Sequence, residues 1–227
     1  MNIIVTGCSK GIGLELVKLL AVNHKVFAIS RDISVLNEMK QQNQFAENLI
    51  PISADITQIN QQFFDSLIDS LGIDVLINNA GFLANKPFIE FSKEDYRDMM
   101  DVNFYGVINM IQLAIEKLSN AKGQVVNIGS IGGIQGSSKF PGLSIYSSSK
   151  GALSILTECL AVELAEYGIK INCLALGAVQ TDMLNKAFPG FKAEITALEM
   201  AGYIVNFINS SSKLSNGLII PVKKTNP

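Results

Sequence analysis

The chain has few of the residues from which most metal sites are built. It carries one histidine, His24, and three cysteines, Cys8, Cys159 and Cys173, far apart and without a CxxC pair. That set argues against a zinc site, and scattered, odd-numbered thiols point to a reducing compartment. Any carbonyl chemistry must therefore find its electrophilic help elsewhere. Charge is scarce as well: 17% of residues are charged, and 18 basic against 20 acidic residues leave a net charge of -2. Phosphate-backbone binding needs a concentration of Lys and Arg, so no nucleic-acid partner is expected. No apolar run reaches the roughly 18 residues of a membrane-spanning helix. The start, "MNIIVTG", lacks a basic stretch followed by a long apolar one, so no signal peptide and no membrane partner is expected, and the expected location is cytoplasmic.

Apolar residues, by contrast, make up 48% of the chain, enough for a large core. They fall into short runs: "NIIVT" (2–6), "KVFAI" (25–29), "LIPIS" (49–53), "DVLIN" (74–78), "QVVNI" (124–128), "IKINCLAL" (169–176) and "LIIPV" (218–222). Each is apolar on both parities, as strands covered on both faces should be. Helical patterns lie between them. Ile12, Leu16, Leu19 and Leu20 form one stripe, and Leu36 and Met39 belong to the next. Ser92 with Asp95 resembles a capping box opening a long helix to about Leu118, and another runs from about Ile145 to Tyr167, ending at Gly168. Strand and helix in repeated alternation predict an α/β fold with a parallel sheet of about seven strands and helices on both faces. No linker splits the chain, so residues 1–227 read as a single domain; "NSSSK" (209–213) reads as a turn before the last strand.

Three stretches carry chemistry. "TGCSKGIG" (6–13) joins the first strand to the first helix, with Gly7, Gly11 and Gly13 permitting a tight turn and close approach of a ligand. A helix N-terminus there offers free N–H groups to a pyrophosphate. "NNAG" (78–81) follows the fourth strand. "IYSSSK" (145–150) sets Tyr146 four places before Lys150, on one face of a helix. A free phenol titrates near 10, too high for acid–base work at neutral pH, and a nearby ammonium is expected to lower that value. Taken alone, each stretch has an ordinary reading as a turn or a helix surface.

Together and in this order, the GxxxGxG turn, NNAG and YxxxK resemble the short-chain dehydrogenase/reductase family over residues 3 to about 183. The resemblance implies a Rossmann-type doubly wound sheet, a nicotinamide dinucleotide cofactor, and a hydride exchanged with a carbonyl or secondary alcohol while Tyr146 handles the proton. Lys150 would tune the phenol and hold the nicotinamide ribose. Asn103, in "MDVNFYG", would hold a water that relays protons to the lysine, and its ordinary reading is a hydrogen-bonded residue at a helix kink. Ser130, at the end of "QVVNIGS", would hydrogen-bond the substrate oxygen. The family commonly places this serine 13 residues before the tyrosine. Here the gap is 16 and Gly133 stands at the usual place, which reads as a three-residue insertion in "GSSKF" (136–140); Ser137 and Ser138 are rivals for the role.

The cofactor contacts implied by the resemblance are Gly7, Ser9, Lys10, Gly11, Ile12 and Gly13 in the turn, Ser30 and Arg31 at the tip of the second strand, Asp55 and Ile56 at the adenine, and Asn79, Ala80 and Gly81 at the adenosine. Gly177, Val179 and Thr181 in "LGAVQTDM" would hold the carboxamide. Leu176 replaces a usual proline, which predicts a looser loop. Arg31 and Lys10 are basic where NADP-preferring members are basic, and Asp32 falls one place too late to bind the ribose 2′-hydroxyl of NAD, so NADP(H) is expected over NAD(H). A short substrate lid is expected over about 183–197. Phe188, Phe191, Leu143 and Phe82 would offer an apolar wall, with core or subunit packing an equal alternative. A homodimer or homotetramer is the family expectation. Two other readings stand beside an oxidoreductase: a non-catalytic NADP(H)-binding sensor or scaffold, motivated by Leu176, the displaced serine and the short lid, and an epimerase or dehydratase, for which the C-terminus leaves little room.

Overall fold

The structure, a computed structural model, describes residues 1–68, 72–210 and 214–224. In chain order its elements are β1 (Asn2–Thr6), α1 (Gly11–Leu20), β2 (Lys25–Ser30), α2 (Ser34–Lys40), β3 (Leu49–Ser53), α3 (Gln61–Leu67), β4 (Val75–Asn78), α4 (Lys93–Met100), α5 (Gly106–Ala121), β5 (Gln124–Ser130), α6 (Ser144–Glu163), β6 (Lys170–Leu176), β7 (Val179–Gln180), α7 (Asp182–Ala187), β8 (Ile195–Thr196), α8 (Ala197–Asn209) and β9 (Ile219–Val222). All seven expected strands are present and form one parallel sheet in the order β3-β2-β1-β4-β5-β6-β9. Strand order reverses between β1 and β4, which opens a crevice at their C-terminal ends, the place where open α/β sheets bind ligands.

The double apolar parity of the strands has its cause in two separate cores. One face packs Ile3, Val5, Val126 and Leu174 under α1 and α8, through Leu16, Leu20, Ile204 and Phe207. The other packs Ile4, Leu76, Val125 and Ile171 under α3, α5 and α6, through Phe64, Met110, Leu118 and Leu153. Within α1 the buried stripe is Gly13, Leu16, Val17 and Leu20, so Val17 takes the place expected of Leu19, which is exposed. No helix among the described residues is long and apolar enough to cross a membrane.

The Ser92–Asp95 capping box forms in both directions. The helix it opens departs from the expectation, because residues 101–105 make a π turn between α4 and α5. α6 ends at Glu163, and a 3₁₀ turn over 165–167 leads to Gly168, whose φ of 71° ends the segment in the left-handed region. The two-residue strands β7 and β8 pair with each other and were not legible as strands. Residues 211–213, part of the expected turn, lie outside the described residues.

Candidate active site

At the glycine turn, backbone meets backbone. A Cβ on Gly7 (φ 72°) would lie 2.7 Å from the Ala80 Cα, and one on Gly13 would lie 2.2 Å from the Gly7 carbonyl oxygen. Thr6 Oγ1 accepts from the Asn79 and Ala80 N–H groups at 3.1 and 3.0 Å. Asn79 Nδ2 donates to the Thr6 and Gly7 carbonyls at 2.9 and 3.0 Å. These bonds fasten the end of β4 to the turn across the switch point. Lys10 is an extended N-cap without a side-chain cap, and the first turn of α1 holds no acid, so its amide donors and dipole are available to an anion. Ser9 and Ile12 are half-buried beside it and Lys10 is exposed. A bare backbone cradle at a helix N-terminus fits a dinucleotide pyrophosphate. Thr181 closes its far side, with Cγ2 3.4 Å from a Gly11 Cβ.

At the tip of β2, Ser30 is buried and Arg31 is exposed, its carbonyl accepting from Ser53 Oγ at 3.1 Å. Asp32 turns away to the N-terminus of α2. Its Oδ1 accepts from the Ser34 amide at 3.0 Å and from the Ser34 hydroxyl, which hold the carboxyl below its ordinary range. Asp55 Oδ1 likewise accepts from the Thr57 amide and hydroxyl at 2.9 and 2.8 Å. The Ile56 side chain packs inward, with Cδ1 2.7 Å from where a Gly106 Cβ would be.

Ser130 ends β5 in one row with Leu176 of β6 and Val222 of β9. Its hydroxyl lies beside the Tyr146 phenol, which it makes more acidic, and accepts from the Gly132 N–H at 3.2 Å. The rival Ser137 is turned into its own loop, on the Ile131 and Ile134 carbonyls at 2.6 and 2.8 Å, and Ser138 is exposed. Gly133 lies flat on α6, where a Cβ would come within 2.6 Å of the Lys150 carbonyl carbon. The loop from 131 to 143 thus absorbs the longer Ser130–Tyr146 spacing while the two side chains still meet.

Lys150 is buried and donates to the Ile128 carbonyl at 2.8 Å. Loss of solvent pulls it down to about 8, against a smaller upward pull from the Cys173 thiol on β6. Tyr146 moves the opposite way from the sequence expectation: burial pushes its phenol up to about 12, and the opposing downward pull comes from the Ser130 hydroxyl. In the protein alone, loss of solvent decides the direction of the shift. Asn103, fully buried in the π turn, accepts from the Phe82 N–H at 2.8 Å and donates to the Phe82 carbonyl at 2.8 Å and to Ser149 Oγ at 3.0 Å. A Cβ on Gly81 would lie 3.4 Å from Asn103 Oδ1 and 3.8 Å from Lys150 Nζ, so the three residues share one wall of the cleft.

Leu176 lies within the ladder, and the next amide, Gly177 N–H, donates to the Val222 carbonyl at 3.0 Å. The loosening expected from the missing proline is therefore absent. Val179 is buried in β7, and Thr181 caps α7 through Leu184 N–H at 3.3 Å. Gln180 binds Asn185 at 2.6 Å and the Ala193 N–H at 2.8 Å, tying down the crossover that joins the parallel strands β7 and β8. Leu143 is buried and Phe188 half-buried, whereas Phe82 and Phe191 are partly exposed. Sequence reading missed Asn85, whose Nδ2 donates to the Ala187 carbonyl at 2.7 Å, and Thr6, whose partners are distant backbone groups that no spacing announces; it also missed Lys139, which bonds within its own irregular loop.

The short chain dehydrogenase family model matches residues 1–191 of the chain. L-2,3-butanediol dehydrogenase of Corynebacterium glutamicum is 35% identical, over 94% of this chain and 83% of its own. Carbonyl reductase family member 4 of Xenopus tropicalis is 35% identical, over 79% and 75%. Among solved structures, ElxO with NADP bound superposes with a TM-score of 0.82 at 28% identity, over 97% and 96% of the two chains. 4-Hydroxyisoleucine dehydrogenase complexed with NADH, at 21% identity, shares the fold with a TM-score of 0.83. The chain belongs to the short-chain dehydrogenase family of oxidoreductases.

Proposed function

We propose that the protein is an NADP(H)-dependent oxidoreductase acting on a carbonyl/secondary alcohol pair, with Tyr146 as general acid and base. The observation that carries this reading is the Ser130 hydroxyl placed beside the Tyr146 phenol at the C-terminal end of the sheet, with buried Lys150 one helical turn away. The dinucleotide, when bound, supplies or takes up the hydride. At neutral pH a phenol pushed up to about 12 is protonated, and an ammine near 8 is charged. That pairing suits carbonyl reduction: Tyr146 donates its proton to the carbonyl oxygen while Ser130 hydrogen-bonds the same oxygen. Lys150 stands one turn away as the nearest cation to the phenolate this leaves, and as a proton source to restore the phenol. Asn103 serves as a brace, since its amide spends both N–H donors on Phe82 and Ser149. Gly7 through Gly13, with Asn79 and Ala80, would cradle the pyrophosphate, and Gly177, Val179 and Thr181 would flank the nicotinamide.

Preference for NADP(H) rests on Arg31, exposed at the β2 tip, on nearby Lys10, and on Asp32 being engaged with Ser34. Residues 1–227 are read as one domain with 183–197 as its lid. Tyr105, Ile155 and Val162 are exposed on α6 and the π turn, consistent with pairing into a homodimer or homotetramer. The names of the butanediol dehydrogenase and carbonyl reductase relatives support the substrate class. The sensor reading loses two of its motives, since Leu176 sits in the ladder and Ser130 reaches Tyr146. The test is NADPH oxidation against a panel of ketones and aldehydes, and NADP reduction with 2,3-butanediol, using Tyr146→Phe as control. Turnover that survives this substitution removes the mechanism; cofactor binding without turnover across the panel returns the sensor.

A further inference from the structure

Lys139 lies in the loop that lengthens the Ser130–Tyr146 spacing. Its ammonium donates to three acceptors: the Gly132 carbonyl at 2.8 Å, the Ile134 carbonyl at 2.6 Å and Ser137 Oγ at 2.8 Å. Ser137 Oγ in turn donates to the Ile131 carbonyl at 2.6 Å, and the N–H of that same peptide group, on Gly132, donates to Ser130 Oγ at 3.2 Å beside the Tyr146 phenol. A cation is thus joined to Ser130 through one hydroxyl and one peptide group. Lys139 makes no salt bridge among the described residues, so no carboxylate cancels its charge locally. The loop is also pressed against α6: a Cβ on Gly132 would lie 2.8 Å from Ser147 Oγ. Gly132 can therefore swing neither away from Ser130 nor toward the helix. Its N–H occupies one lone pair of Ser130 Oγ, which leaves the hydroxyl proton for the phenol or substrate oxygen. Hydrogen bonds arranged in series polarise one another, and a charged donor at the head strengthens the chain.

We propose that Lys139 is a positioning residue for the carbonyl/alcohol reaction, orienting and polarising Ser130 through Ser137 and the Ile131–Gly132 peptide. The proposal rests on the oxidoreductase reading above. The titratable groups beside the phenol and serine are Lys150 on the phenol's own helix and the Cys173 thiol of β6 facing Lys150. Neither side chain hydrogen-bonds Lys139 among the described residues, so Lys139 can be altered separately.

The experiment compares wild type with Lys139→Met, Lys139→Arg and Ser137→Ala. Losing one charge-assisted link should lower kcat for Lys139→Met by about tenfold. KM for NADPH and Tm should stay at wild-type values, Lys139→Arg should restore most of kcat, and Ser137→Ala should give a comparable loss. In ¹⁵N-labelled protein the Gly132 amide proton should move upfield in Lys139→Met and return in Lys139→Arg. An unchanged kcat overturns the proposal. So does a kcat loss accompanied by a raised KM for NADPH and a lowered Tm, which marks a loop clamp only. If wild type turns over nothing, the oxidoreductase reading has failed; the Gly132 amide shift then decides the Lys139–Ser130 link by itself.

Discussion

Replacing Lys150 by methionine should stabilise the protein at neutral pH and lose that advantage near pH 10. The side chain is 4% exposed, and burial lowers its ammonium from 10.5 to about 8. A base depressed in the folded state opposes folding fully below its folded value, and the penalty vanishes as pH rises through the unfolded value. The drop corresponds to about 3 kcal/mol against the folded state at pH 7. Methionine removes that penalty but also the hydrogen bond to the Ile128 carbonyl, worth about 1 kcal/mol net. The variant should then be more stable by about 2 kcal/mol at pH 7. At pH 10 the remaining penalty is only about 1 kcal/mol, matching the lost hydrogen bond, and the two proteins should unfold together. Urea denaturation of both at pH 7, 8.5 and 10 reads the difference directly. A variant less stable than wild type at pH 7, or a gap that does not narrow with pH, refutes the claim that this ammonium is held at a cost. Retention of a destabilising charge beside Asn103 and Gly81 is what a functional site requires and a packing site does not.

Tyr146→Phe should lower kcat by roughly 10²- to 10⁴-fold while leaving NADPH binding near wild type by fluorescence titration; a loss below tenfold counts against Tyr146 as the proton carrier. Arg31→Ala should weaken NADPH binding by about tenfold with little effect on NADH, and an unchanged ratio of the two Kd values removes the basis for the NADP(H) preference. Gly13→Ala places a methyl 2.2 Å from the Gly7 carbonyl oxygen, a backbone atom that cannot swivel aside. It should cost about 1–3 kcal/mol and abolish dinucleotide binding together; an unshifted Tm and intact binding show that the turn relaxes freely.

The sheet was legible because each strand is buried on both faces, which writes a continuous apolar run into the chain. β7 and β8 were not, because two residues carry no period, and their pairing depends on Gln180 holding the intervening turn. Motif spacing located Ser130, Tyr146, Lys150 and Asn103, and the structure gathers them into one cleft. It did not give the direction of the Tyr146 shift. Spacing reports that an ammonium is one turn away, whereas the sign of the shift depends on how much water the phenol loses. Ile56 illustrates the same limit: adjacency to Asp55 gives no sign that its side chain packs against Gly106.

Asn103 shows why a polar residue on a buried helical face is informative. Its position continues the inward stripe of Met99 and Val107, where a leucine would satisfy the period. The loop behind it presents both the N–H and the carbonyl of Phe82 to a site without solvent, and each would cost about 1–3 kcal/mol if left unpaired. An amide is the side chain that offers both a donor and an acceptor in the right spacing, as a neighbouring strand would. The π turn brings it there: the extra residue in the turn lets Gly106 N–H bond back to the Asp101 carbonyl and lets α5 close on Ile56 through Gly106. Residues 81 and 82 are thereby held against Lys150, so the helix irregularity, the buried amide and the glycine at 106 act as one device that sets the wall of the cleft on which the lysine stands.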